Sequence, residues 1–102
     1  MLAGVLNQDE AIAIYSLESG KFRKLTGFGS DPVWFSDGRA LLFLNKGKIY
    51  QASLVSEEAH EVVSIAPEEI ARRGFALSAD DRHIYFSVTS TDADVWILQF
   101  ER

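Results

Sequence analysis

Apolar residues in this chain gather in short runs, each closed by a turn signal. Runs of that length, rich in β-branched and aromatic residues, predict strands rather than helices. Residues 2–7 and 11–17 are the first two, and Glu18-Ser19-Gly20-Lys21 is a turn in which Gly20 is free to take positive φ. In residues 22–26, Phe22 and Leu25 are expected inward and Arg23 and Lys24 outward. This is not strict alternation, so the pattern calls for a bulge or a strand end. Residues 27–32 read as a loop and 33–36 as a short strand. Asp37-Gly38 is the strongest hairpin signal and predicts a type I′ turn with positive φ at both positions. Residues 40–45 form the return strand, Asn45 to Lys48 a turn, and 49–54 the next strand. Residues 55–59 read as a polar connection, and 61–65 as a further strand.

Residues 67–73 break this rhythm. Pro67 suits a first helical turn, Glu68 and Glu69 its positive end, Arg72 and Arg73 its negative end, and Gly74 its stop. One short helix is expected there. Strands resume at 75–78, 83–88 and 94–100.

Aligning the runs uncovers a repeat. Residues 34–43 (WFSDGRALLF) match residues 77–86 (LSADDRHIYF) at an offset of 43. Residues 12–17, 49–54 and 95–100 also correspond. A period of about 40–45 residues carrying four strands is the mark of a propeller blade. A four-stranded sheet that is apolar on both faces cannot bury them alone, and stacking in a ring covers them.

Composition narrows the function. The 102 residues amount to one domain, and a 47% hydrophobic content provides enough apolar surface for a packed core. The formal net charge of -5 opposes binding to nucleic acid or to an anionic membrane. There is no cysteine, so disulfides, thiolate chemistry and Cys-based zinc sites are excluded, while the compartment stays open. No run of 18 apolar residues predicts a membrane span. The first six residues lack the basic charge of a signal peptide and read as the middle of a strand. The expectation is a chain that begins partway through a larger protein.

The residues Pro32-Val33-Trp34-Phe35-Ser36-Asp37-Gly38-Arg39, then Leu41-Leu42-Phe43 and Lys48-Ile49-Tyr50, resemble the TolB-like, WD-repeat-like propeller repeat. That repeat reads P-x-W-S-P-D-G-R/K, then an apolar strand, then an I-Y strand. Phe35 and Ser36 replace its Ser-Pro. Residues 75–86 are a weaker copy: Ser78, Asp80 and Arg82 match, Ala79 stands for the proline and Asp81 for the glycine. Asp81 is therefore expected at positive φ, which Asp tolerates better than most residues. Residues 93–98 resemble the last blade of propellers attached to bacterial sensor and kinase proteins.

The resemblance implies an all-β fold of about two and a half four-stranded antiparallel blades. Its units are residues 1–27, 28–66 and 74–102. It also implies a non-catalytic protein-interaction or ligand-sensing scaffold within a larger bacterial protein. Expected partners are another protein or further blades, including other copies of the chain, with no nucleic acid and no membrane insertion. Two other readings stay open: the gating propeller of a prolyl-oligopeptidase-type hydrolase, and a structural fragment that self-assembles into a closed ring.

Each candidate for chemistry has a plainer structural role. Asp37 and Asp80 are placed to cap their turns, with Arg39 and Arg82 beside them. His60 reads as part of a solvated acidic connection, and His83 as facing the surface or a neighbouring sheet. Neither has a partner at zinc-ligand spacing. Asp80, Asp81, Asp92 and Asp94 could attract a hard cation, but no glycine-punctuated calcium loop surrounds them. Gly27-Phe28-Gly29 lacks the rest of a phosphate loop, and no serine lies in a G-x-S-x-G elbow. No catalytic, cofactor or metal site is assigned. Trp34, Trp96, Phe43, Phe86, Tyr50 and Tyr85 are expected in the core between sheets.

Overall fold

The computed structural model describes residues 2–6, 11–66, 68–88 and 95–99, with backbone alone at 2–6, 72–73 and 95–96. Among these residues the fold is all-β. Strands β1 (Leu2–Leu6), β2 (Ala11–Tyr15) and β3 (Phe22–Lys24) form one sheet. A second contains β4 (Ser30–Trp34), β5 (Ala40–Asn45), β6 (Lys48–Ser53) and β7 (Ala59–Val63). The third contains β8 (Ile70–Leu77), β9 (His83–Val88) and β10 (Val95–Gln99). Every strand pairs antiparallel with its sequence neighbour in the sheet.

Burial along β5 explains how the sheets stack. Successive strand residues point to opposite faces, yet Ala40, Leu41, Leu42, Phe43 and Leu44 are all buried. The middle sheet must therefore be covered on both sides. Leu41 and Phe43 pack with Ile12, Ile14 and Leu25 of the first sheet. Leu42 and Leu44 pack with Phe75, Ile84, Phe86 and Val88 of the third. Each such side chain contributes about 1.5–3 kcal/mol on burial, so these two layers carry most of the stability. Strand β4 lies beside β1 and β2 on one flank and β8 on the other.

The strand at residues 30–34 absorbs Asp31 and Pro32 as a bulge on a sheet edge. The register shifts between Ser30 and Val33, and Asp31 has φ 55°. Proline has no N–H to give to the ladder, so an edge bulge is where it fits. The segment expected as a loop is thus partly strand.

The helix expected over 67–73 is absent from the described residues, and Pro67 lies outside them. β8 instead starts at Ile70, pairs that residue with Val88, and bulges before Phe75. Ile70 donates its N–H to the Gly47 carbonyl at 3.0 Å, and its side chain is buried in the core. The helical cues are end charges and punctuation, each worth only tenths of a kcal/mol. A seven-residue helix is too short to sustain itself. Ladder bonds to β9 and burial of Ile70 and Phe75 outweigh the cues.

The Asp37-Gly38 turn is not type I′. Gly38 has φ 68°, whereas Asp37 is not among the positive-φ residues. Phe35 donates its N–H to the Ala40 carbonyl and accepts from the Gly38 N–H, both at 3.0 Å. Four residues therefore span the closing pair. An ordinary turn forms over Ser36 and Asp37, and Gly38 alone takes the left-handed step.

Phe22 is exposed rather than inward, because it lies opposite Tyr15 on the face away from the middle sheet. Leu25 is buried, just past the end of β3. Phe43 and Phe86 are core residues, as expected. Trp34 and Tyr50 are half-buried, and Tyr85 is exposed on the outer face of the third sheet. The side chain of Trp96 lies outside those described. The aromatic that fills the core beside β5 is Phe35, at 1% exposure.

Candidate binding surface

One end of the three sheets is tied together by a line of turn contacts. The Arg23 guanidinium reaches from β3 to the Glu57 carboxylate at 2.6 Å and to the Leu54 carbonyl at 3.2 Å. Leu54 in turn donates its N–H to the Arg39 carbonyl at 3.0 Å. The Asp81 carboxylate accepts the Ser36 N–H at 3.1 and 3.2 Å and the Ser36 hydroxyl at 2.5 Å. Residues of all three sheets are thus linked at one end.

The two hairpins of the repeat have the same backbone circuit. The Phe35–Ala40 and Gly38–Phe35 bonds recur as Ser78 N–H to His83 O at 2.9 Å and Asp81 N–H to Ser78 O at 3.0 Å. Asp37 accepts the Arg39 N–H at 2.9 Å, and Asp80 accepts the Arg82 N–H at 3.0 Å. Both aspartates cap their turns as the sequence leads one to expect. Asp81 has φ 62° and takes the place of Gly38.

The third-sheet hairpin carries one further device. The Ser78 hydroxyl accepts the N–H groups of Arg82 and His83 and donates to Asp80. That hydrogen bond, followed by the Arg82 amide, holds the Asp80 carboxyl below its ordinary pKa of 3.8. In the middle sheet the equivalent position is Phe35, which fills the core instead.

Around this frame the surface is mixed in character. Leu17 and Val55 sit in turns with 67% and 88% exposure, and Arg39 and Arg82 are exposed in the β4–β5 and β8–β9 hairpins. An open depression of about 280 Å³ is lined by Ile14, Ser16, Ser19, Lys21, Phe22 and Arg23. The signal for Leu17 and Val55 is present in the sequence: each is a large apolar residue inside a polar turn.

The remaining candidates scatter. His60 belongs to β7 rather than to a connection, opposite Gln51, and is exposed. His83 opens β9 and is half-buried. Asp80 is engaged by its own turn and Asp81 by Ser36, while Asp92 and Asp94 lie outside the described residues. Among the described residues no three His, Asp or Glu side chains converge. Gly29 is a packing glycine: it has φ 104°, and a Cβ there would lie 2.3 Å from the Phe43 ring. Its loop closes on itself through Thr26, whose hydroxyl donates to the Phe28 carbonyl and accepts the Ile12 N–H. Phe28 then packs edge-on against Phe43 and Tyr50.

No protein-family model matches the chain, and no curated protein matches its sequence.

Proposed function

We propose that this chain is a run of consecutive β-propeller blades that acts as a non-catalytic, protein-binding scaffold. One observation carries the reading: the 43-residue sequence repeat returns as the same hairpin circuit in two stacked, neighbouring sheets. The middle sheet supplies the four strands of a blade, and the first and third sheets supply three each among the described residues. Stacked sheets form the rigid frame, and the linked turns present the contact surface. Leu17 and Val55 provide apolar anchors, with Arg39 and Arg82 at the rim.

Panning a displayed peptide library against the chain tests this. Enriched peptides are expected to lose affinity about tenfold, equivalent to ~1.4 kcal/mol, on Leu17→Asp with Val55→Asp or on Arg39→Ala. A circular dichroism spectrum unchanged by the substitutions confirms that the frame is intact. No enrichment, or peptides indifferent to these substitutions, would overturn the assignment of this surface.

A further inference from the structure

The outer faces of the first and third sheets carry residues at repeat positions that the middle sheet keeps fully buried. Tyr85 corresponds to Leu42, yet Tyr85 is 37% exposed and Leu42 0%. Tyr15 corresponds to Ala52, yet Tyr15 is 41% exposed and Ala52 0%. Leu42 is covered by the sheet that follows it, and Ala52 by the sheet that precedes it. The two exposed faces are therefore not alike. One is a face built for a following sheet and the other a face built for a preceding sheet.

Each carries large apolar residues at its centre, beside Lys24 on the first sheet and His83, Ser87 and Gln99 on the third. On the first sheet Tyr15 stands directly opposite Phe22, with Ala13 on the same face. On the third, Tyr85 stands opposite Ile97 on one side and Ala76 on the other. Large exposed cross-strand pairs of this kind are uncommon on a solvated face.

We propose that a second copy of this chain covers these faces head to tail, the third sheet of each copy packing on the first sheet of the other. The inference rests on the propeller reading and names the partner. It continues the interface already formed twice within the chain: a face of the "following" type meets a face of the "preceding" type in the same register. Such an interface is heterologous, and it closes when the rotation per sheet completes a circle. The described residues of two copies bring three sheets each, and their sum lies within the four to eight blades of closed propellers.

Sedimentation of the full chain tests the pairing. The expected species has twice the 11.4 kDa chain mass. Tyr85→Arg alone and Phe22→Asp alone should each reduce it to single-chain mass with an unchanged circular dichroism spectrum. Mixing the two variants should restore a species of double mass, because the third sheet of the Phe22→Asp chain still fits the first sheet of the Tyr85→Arg chain. A wild-type chain of single mass overturns the pairing whatever its state of folding. A dimer that survives Phe22→Asp shows like-on-like pairing and also overturns it. A folded single chain would leave the propeller reading standing, with its outer faces covered by something else.

Discussion

The Asp81 carboxylate holds the backbone N–H and hydroxyl of Ser36, joining the hairpin of the third sheet to that of the second. Asp81 occupies the position that Gly38 fills one repeat earlier, and both are left-handed, with φ 62° and 68°. The departure from glycine therefore has a compensation. A backbone conformation costing about 1–2 kcal/mol in an L-residue is retained where the side chain links two sheets.

Separating the two effects gives an ordering. Asp81→Ala keeps the backbone cost and loses the link, and is expected to destabilise by about 1–3 kcal/mol. Asp81→Gly loses the link but relieves the backbone, and should cost about 1 kcal/mol less than the alanine variant. Urea midpoints compare the two directly. In a double-mutant cycle with Ser36→Ala, Asp81→Ala should show coupling. Additivity would mean the contact contributes nothing.

Of the adjacent aromatics Trp34 and Phe35, Phe35 is the one buried in the core. Phe35→Ala should cost about 3–5 kcal/mol, because it empties a fully enclosed site. Trp34, half-buried against Leu41, Phe43 and their neighbours, should cost less on truncation to alanine. Equilibrium unfolding of both variants decides the order. A larger loss for Trp34→Ala would contradict the packing described.

Each of the ten described strands overlaps one expected from the sequence, though β4 begins in the expected loop and β8 in the expected helix. The repeat also located both aspartate caps and the positive φ at Asp81, since an alignment carries backbone requirements along with it. What the sequence pattern missed was decided by contacts distant along the chain. Ile70 belongs to a strand because β9 offers it a ladder and a core, and neither is visible within residues 67–73. Phe22 and Tyr85 point outward because face assignment depends on which neighbouring sheets exist. Phe35 stands out in the sequence only as a departure from the repeat. The candidate surface was half legible: Asp37, Asp80 and the arginines came from the motif. The Asp81–Ser36 and Arg23–Glu57 links join residues whose proximity no local pattern encodes.

Asp80 should set an acid dependence of the third-sheet hairpin. Its carboxyl is held below 3.8 by the Ser78 hydroxyl first and the Arg82 amide second. A folded pKa below the unfolded one means the unfolded chain binds the proton more readily. The contribution is therefore complete above 3.8 and disappears as pH falls through the lower folded value. Carboxyl chemical shifts followed from pH 6 to 2, a range of about two units either side of the ordinary value, should show Asp80 titrating late. Ser78→Ala should move its midpoint up toward 3.8. A midpoint at 3.8 in the unaltered chain would show that the hydrogen bonds do not favour the charged form.

Glycines at two turns should differ in how much an added side chain costs. At Gly29, φ is 104° and an added Cβ would meet the Phe43 ring at 2.3 and 2.5 Å. Phe43 is fully buried between sheets and stacks on Tyr50, so it has no free space to move into. Gly29→Ala therefore combines backbone strain with overpacking and should cost about 2–4 kcal/mol. At Gly38, nothing lies within 4 Å of an added Cβ, and the chain already places an aspartate in that conformation one repeat later. Gly38→Asp should cost no more than about 1–2 kcal/mol, the bare left-handed term. Thermal unfolding of the two variants should separate by several degrees, with Gly29→Ala lower. Equal losses would mean that backbone strain alone governs both sites and that the close approach to Phe43 relaxes without penalty.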